Sequence, residues 1–282
     1  MNYNKILNEG SNILKDSFIK NPKLDSEILL AKALKIKREN LLISLNNKID
    51  YNQKRFFYSL INRRKKKEPI AYILGYKEFW KRKFFINKNV LIPRPDSEIL
   101  VEETLNNFPK KKSINILDIG TGSGCLLMSI LKERKNSYGT GIDISKNAIL
   151  VAKYNAKIQH IEDRVRFLIA DVDKFSNGKY DLIVSNPPYI KKHSLKYLQE
   201  DVSLYEPKLA LDGGFDGFSK IGILIKQSSV LLKNNGKMII EIDSNQILKL
   251  KFILRKNNFY INKISKDLSG LNRCIVCTKL NK

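Results

Sequence analysis

Asp118-Ile119-Gly120-Thr121-Gly122-Ser123-Gly124 joins one apolar run, residues 114–119, to a second, residues 125–132. The first run is short, rich in isoleucine and closed by a turn, which predicts a buried strand ending in Asp118. The second begins a helix. Glycines between a strand and a helix let the backbone approach a ligand closely. The spacing is G-x-G-x-G rather than G-x-G-x-x-G, so a pyrophosphate on the helix N-terminus is not the first expectation. Taken alone, the loop could also be a tight turn with no ligand.

Downstream, strand and helix signals alternate. Strands are predicted at 138–142 ahead of Asp143, at 165–169 ahead of Asp171, at 180–185 and at 237–242, with helices at 146–157, 221–232 and 247–256. Two last strands, 260–264 and 274–278, have only a short link between them. This is the α/β pattern of a mainly parallel sheet with an antiparallel ending. Ligands of such sheets bind at the carboxyl ends of the strands.

Upstream, the first seventy or so residues read as helical. Ile6, Leu7, Ile13, Leu14 and Phe18 mark a first helix, and Asn21-Pro22 breaks it. Asp25 can cap a second, carrying Ile28, Leu29, Leu30, Ala33 and Leu34. Leu41, Leu42, Ile43 and Leu45 mark a third segment. A fourth holds Phe56, Phe57, Leu60 and Ile61 and ends in the basic run 63–67, most simply a solvated cluster favoured by the helix dipole. Residues 70–92 predict a β-hairpin or extended connector around the polar middle Lys81-Arg82-Lys83. Pro93-Arg94-Pro95 forbids regular pairing, and Asp96 or Ser97 can cap a helix at 99–108. The expected organisation is a helical domain, 1–75, a connector, 76–95, and an α/β domain, 96–282.

Three carboxylates follow successive strands. Asp143 can accept hydrogen bonds from both hydroxyls of a ribose, Asp171, beside Val172, can accept from an adenine amine, and Asp118 can face a cationic group. Three carboxylates around one ligand suit an adenosine with a positive tail, which describes S-adenosylmethionine. The competing reading, three helix caps, fits each one singly better than all three together. Asn186-Pro187-Pro188-Tyr189 directly follows the strand at 180–185. A planar NH₂ group is a poor nucleophile because its lone pair is delocalised. The Asn186 side-chain oxygen and the Pro187 carbonyl can accept from its two N–H bonds and favour a pyramidal nitrogen. Two prolines stiffen the loop and contribute no N–H, and Tyr189 offers a flat face for stacking. Catalysis of this kind is positioning and matched polarity.

Composition bounds the remaining classes. The chain has 282 residues and a formal net charge of +24. Its 41 Lys outnumber 11 Arg, beside 36 Ile and 28 Asn, the residues an AT-rich coding sequence favours. Dedicated phosphate sites use Arg for its bidentate fork, so the charge reads mainly as compositional background. No apolar run approaches the roughly 18–20 residues of a membrane span, and no signal-peptide core opens the chain. Three Cys imply no disulfide framework and a reducing compartment, hence cytoplasm. Cys274 and Cys277 point to opposite faces of a strand, so no metal site is expected. Neither His160 nor His193 suggests a catalytic pair.

The Asn-Pro-Pro-Tyr and glycine-loop pair is similar to amino methyltransferases acting on adenine, on guanine in RNA or on protein glutamine. Further segments choose among these: Arg63-Arg64, Glu68-Pro69-Ile70-Ala71-Tyr72-Ile73-Leu74-Gly75, Glu78-Phe79-Trp80, Leu91-Ile92-Pro93-Arg94-Pro95-Asp96-Ser97-Glu98, Glu206-Pro207 and Ala210-Leu211-Asp212-Gly213-Gly214-Phe215-Asp216-Gly217. They resemble the peptide chain release factor glutamine methyltransferases, the HemK and PrmC family, over essentially the full length. The resemblance implies a Rossmann-like seven-stranded methyltransferase sheet behind a small helical domain, with S-adenosylmethionine as cofactor. It implies methylation of the side-chain amide of the glutamine in the Gly-Gly-Gln loop of class I release factors. Gly120, Thr121, Gly122, Ser123 and Gly124 would form the cofactor loop, with Asp143 at the ribose, Asp171 and Val172 at the adenine, and Asn186, Pro187, Pro188 and Tyr189 at the glutamine. The helical domain and connector would help hold the release factor, so any electrostatic steering should act at 63–67 and 81–83. A cytoplasmic monomer without a nucleic-acid substrate is implied. Rival readings are a ribosomal-protein glutamine methyltransferase, a nucleic-acid amine methyltransferase and a non-catalytic adenosine-binding module docked on RNA. Two departures stand out: Ser97 where Thr is usual, and Asp243 where Gly is expected. Neither is expected to touch the motif that carries chemistry. Residues 213–217 read as a flexible loop or a lid facing the substrate.

Overall fold

The Asn2 side chain accepts from Lys5 N at 3.0 Å and opens α1 (Tyr3–Asp16), which turns Ile6, Leu7 and Leu14 inward. α2 (Pro22–Leu34) is buried along most of its length. α3 (Arg38–Ile43) is short, α4 (Tyr51–Lys65) starts in a capping box between Asp50 and Gln53, and α5 (Ile70–Leu74) ends at Gly75. Leu29, Leu30, Phe57, Leu60, Ile61 and Ile73 complete one apolar core, each such side chain contributing about 1.5–3 kcal/mol by burial. The structure, a computed structural model, describes residues 1–281. Met1–Tyr76 with Gln199–Tyr205 form one unit, and Lys77–Leu198 with the described residues from Glu206 form the other.

Two expectations for the helical unit change. Asp25 does not cap α2, which begins three residues earlier with proline in its first turn. It is buried and accepts from Arg64 Nε at 2.7 Å. The basic run 63–67 is correspondingly not a uniformly solvated cluster. Arg63 donates to Glu68 at 2.8 Å, Arg64 is buried, and Lys67 Nζ donates to the Ser17 carbonyl at 2.7 Å. Three of its five side chains are thus engaged inside the unit.

β1 (Tyr76–Phe79) and β2 (Arg82–Phe85) pair as a two-stranded sheet, the hairpin expected within residues 70–92, whose first residues form the helix α5 instead. Its turn residues Trp80 and Lys81 have φ of 47° and 61°, a backbone normally given to Asn-Gly. Trp80 is held there by bonds from its N–H to Glu98 Oε1 at 2.8 Å and from its indole Nε1 to Glu133 Oε1 at 3.2 Å. Phe79 and Phe84 are buried in the core of the second unit, so much of the expected connector is part of that unit.

The chain continues through α6 (Glu98–Asn107), β3 (Asn115–Ile119), α7 (Cys125–Glu133), β4 (Tyr138–Asp143), α8 (Lys146–Gln159), β5 (Val165–Ile169) and β6 (Tyr180–Ser185). After α9 (Glu200–Tyr205) come α10 (Ser219–Leu231), β7 (Leu232–Glu241), α11 (Ile247–Lys256), β8 (Phe259–Lys266) and β9 (Asn272–Lys279). The sheet is seven-stranded, ordered β5-β4-β3-β6-β7-β9-β8. The first five are parallel, β9 runs antiparallel to β7, and β8 antiparallel to β9. β7 starts five residues before the expected strand, because Leu232 already pairs with Tyr180.

Alternation along the strands splits the core in two. Ile116, Leu182, Val184, Ile239 and Cys274 face α6, α7 and α8. Leu117, Ile183, Met238, Ile240 and Cys277 face α10 and α11. Cys274 and Cys277, both free thiols, thus lie on opposite faces. From β3 the chain goes to β4 on one side, while β6 lies on the other. That switch point opens a crevice at the carboxyl ends of β3 and β6. One segment departs from the expected domain boundaries: α9 belongs with the helical unit, where Tyr205 Oη donates to the Lys66 carbonyl at 2.6 Å.

Candidate active site

The glycine loop wraps the end of β4. Gly120 N and Thr121 N both donate to the Ile142 carbonyl, at 2.9 and 3.0 Å. Gly120, Gly122 and Gly124 have φ of 71°, 55° and 77°, the left-handed region that side chains disfavour. A Cβ at Gly124 would also lie 2.3 Å from Met128 Cε, so that side chain would have to move aside. Asn155, buried on α8, locks the loop from behind. Its Nδ2 donates to the carbonyls of Ser123 and Phe85, both at 2.9 Å, and its Oδ1 accepts from Phe85 N at 2.7 Å. No motif pointed to this residue.

The carboxylates divide. Asp143 accepts from Gly122 N at 3.0 Å and Ser145 N at 2.9 Å, joining the loop to the start of α8. Burial pushes its pKa up, against those two N–H donors. Asp143, Asp171 and Val172 line a cavity of about 400 Å³ with Gly120, Gly122, Asn186, Pro187 and Pro188. Asp118 does not face that cavity. It is 1% exposed and accepts from Thr121 Oγ1 at 2.7 Å, so it braces the loop from within. Thr121, Ser123 and Gly124 likewise shape the loop without lining the cavity. Residues 88–91 and 207–210, partly within the quoted segments but given no role there, add further walls.

Burial raises the Asp118 pKa to about 7, the Thr121 hydroxyl opposing. Its folded value therefore lies above its unfolded one, the ordinary carboxyl value near 3.8. The folded state binds the extra proton between these values, so stability falls as pH rises from about 4 to about 7 and is flat beyond. The Asp118→Asn variant should lose this part of the slope, measured as thermal midpoint between about pH 5 and pH 8. Equal slopes in the two proteins would refute the assignment.

Asn186 leaves β6 beside an unexpected chain of polar groups. Its Nδ2 donates to Ser97 Oγ at 2.9 Å, and Ser97 Oγ donates to Glu241 Oε2. Tyr189 Oη donates to the other oxygen, Glu241 Oε1, at 3.2 Å. Ser97 stands before α6 but makes no cap bond with its side chain. Contrary to expectation, this departure touches the Asn-Pro-Pro-Tyr motif directly. Glu241, at the end of β7, is 1% exposed; burial pushes its pKa up, while Ser97, Arg273 and Tyr189 pull it down. Burial and the Glu241 carboxylate raise the Tyr189 phenol above its usual range, which keeps it a neutral donor.

Residues 213–217 are laced to the chain after Tyr189. Gly213 N donates to the Ile190 carbonyl at 2.8 Å and Lys192 N to the Gly214 carbonyl at 3.0 Å. A Cβ on Gly213 would sit 2.8 Å from the Tyr189 Cα, so the two backbones touch. The second departure, Asp243, caps a short turn that holds Gln246, whose Nε2 reaches the Gly217 carbonyl at 2.9 Å. His193 is exposed. A second cavity of about 570 Å³ lies at the amino ends of β3–β6. Its arginines are occupied: Arg164 Nη1 donates to the Leu131 carbonyl at 2.9 Å and Arg166 Nε to Thr140 Oγ1 at 3.0 Å.

Comparisons with known proteins agree with this layout. The PrmC N-terminal domain family matches residues 5–75, and the methyltransferase small domain family matches residues 96–203. A release factor glutamine methyltransferase of Fusobacterium nucleatum is 39% identical, over 98% of this chain and 79% of its own length. One of Caulobacter vibrioides is 34% identical, over 94% of this chain and 92% of its own. A bifunctional methyltransferase of Rickettsia typhi is 38% identical over 98% of this chain, which spans 57% of that longer protein. Among solved structures, a ribosomal protein L11 methylase from Lactobacillus delbrueckii subsp. bulgaricus aligns with TM-score 0.52 and 20% identity over 73% of this chain and 91% of its own, a likeness of fold alone.

Proposed function

Because the chain belongs to the release factor glutamine methyltransferase family, we propose that it methylates the side-chain amide nitrogen of the glutamine in the Gly-Gly-Gln loop of class I peptide chain release factors. The observation that carries this reading is the Asn186 amide, tethered through its nitrogen while Asn186, Pro187 and Pro188 line one cavity with Asp143 and Asp171.

The residues of that cavity fit S-adenosylmethionine. Gly120 has open space where a side chain would stand, two carboxylates suit ribose and adenine donors, and Val172 with Ile144 supplies apolar wall. When bound, this cofactor supplies an electrophilic methyl group on a sulfonium sulfur. Asp143 would hold the ribose and Asp171 with Val172 the adenine. Asn186 Oδ1 and the Pro187 carbonyl would accept from the two N–H bonds of the substrate amide, and Tyr189 would pack against its plane. The nitrogen is thereby held with its lone pair free, and the proton it sheds passes to water. Positioning of this kind and charge matching supply the rate enhancement. The helical unit would help hold the release factor, and the chain would act as a cytoplasmic monomer. Among the described residues, no helix is long and apolar enough to cross a membrane.

Incubation with labelled S-adenosylmethionine, purified release factor, ribosomal protein, ribosomal RNA, transfer RNA and DNA tests the reading. Label is expected on the release factor and should vanish when its Gly-Gly-Gln glutamine is replaced by alanine. Label confined to nucleic acid or ribosomal protein overturns it.

A further inference from the structure

The Asn186 side chain can grip an N–H donor only if its oxygen, not its nitrogen, faces the cavity. The two ends of an amide have nearly the same shape, so hydrogen-bonding partners decide its orientation. Here the partners form a directional chain. Both Glu241 oxygens stand as acceptors, Oε1 from Tyr189 and Oε2 from Ser97, so Ser97 gives its one proton to Glu241. The Ser97 oxygen is then left as an acceptor, and only the nitrogen end of Asn186 can satisfy it, at 2.9 Å. Oδ1 is thereby turned away from Ser97. Tyr189, at the other end of the tetrapeptide, spends its proton on the same carboxylate at 3.2 Å. Glu241 is 1% exposed and Ser97 6%, so water does not compete for either bond.

From this geometry we propose that Glu241 and Ser97 are positioning residues that set the polarity of the Asn186 amide, and so make the site selective for a substrate group that offers two N–H donors. The proposal rests on the reading of Asn186 as the amide grip. Glu241 is buried and does not line the cavity; it acts through Ser97 on one side and Tyr189 on the other. Glu241→Gln keeps size and shape but introduces an NH₂ that can donate to Ser97. Ser97 is then free to donate toward Asn186, and the amide can turn its nitrogen into the cavity.

Two measurements separate this from the functional reading. The first needs no activity. In ¹⁵N–¹H spectra, the Asn186 side-chain NH₂ pair is identified by its disappearance in Asn186→Ala. One of its protons should exchange with water markedly more slowly than those of exposed asparagines, and Ser97→Ala should abolish that protection. An Asn186 amide that exchanges like a surface one in the unaltered protein overturns the proposal whatever the substrate proves to be. The second is kinetic, with release factor as substrate. Ser97→Ala and Glu241→Gln should lower kcat by roughly 10-fold or more, as expected for misplacing one preorganised acceptor. S-adenosylmethionine affinity should stay within about 2-fold, and Ser97→Thr, which keeps the hydroxyl, should restore kcat. An unchanged kcat in Ser97→Ala, or no rescue by Ser97→Thr where Ser97→Ala is impaired, also overturns it. Absence of release-factor methylation by the unaltered protein, with the slow amide proton present, sinks the functional reading and leaves the amide orientation standing.

Discussion

Asn186→Ala should cut turnover on the release factor by roughly 10²–10³, the loss found when one preorganised transition-state hydrogen bond is removed. The physical reason is differential. Two acceptors around the amide matter little while the nitrogen is planar and matter most as it becomes pyramidal and positive. The change should therefore fall on kcat, measured under saturating release factor. S-adenosylmethionine affinity, measured calorimetrically, should move little. The glycine loop is held by Ile142, Asp143 and Asn155 rather than by Asn186. Turnover within about 3-fold of the unaltered enzyme would reduce Asn186 to a turn residue and take the mechanism with it.

Arg64→Ala should destabilise the helical unit by about 3–5 kcal/mol, the usual result of removing one partner from a buried ion pair. Arg64 donates to Asp25 at 2.7 Å and to the Glu68 carbonyl at 3.0 Å. Its removal leaves both acceptors without that donor. Asp25 is already disfavoured as an anion: burial raises its pKa, Arg64 opposes, and Asp201 adds repulsion. Urea denaturation followed by far-ultraviolet dichroism should show the loss as a lower midpoint or an early phase. Asp25→Leu combined with Arg64→Met should recover most of it, because matched apolar replacement of a buried pair is often neutral or better. A loss below about 1 kcal/mol in the single variant would mean that water reaches the pair.

The elements were readable where local chemistry decides them. Strands β3 to β6 announced themselves as short apolar runs ending at glycine, aspartate or asparagine, and both motifs fell at carboxyl ends of strands. Ser97 reads in the sequence as a helix cap, and Glu206, quoted for its family resemblance, carries no visible task. In the fold Ser97 bonds Asn186, and Glu206 accepts from Ile92 N at 3.0 Å and pairs with Arg94. These contacts span about 90 to 114 residues of chain. A pattern read over one or two turns of helix has no access to them.

The excess of lysine shows the same division. Its size was plain from composition, and so was its lysine-heavy make-up. Which charges are free was not, because an arginine at a helix end and an aspartate 39 residues earlier look solvated until packing brings them together.

The chain by itself determined the α/β class and the places of the glycine loop and the Asn-Pro-Pro-Tyr tetrapeptide, since these depend on the period of hydrophobicity and on the backbone that glycine and proline permit. Only the tertiary structure decided that Asp118 braces the loop while Asp143 and Asp171 face the cavity, that α9 joins the helical unit, and that Glu241 stands behind Asn186 and Tyr189. Those outcomes depend on burial and on partners distant in sequence, and both come into being only when the chain packs.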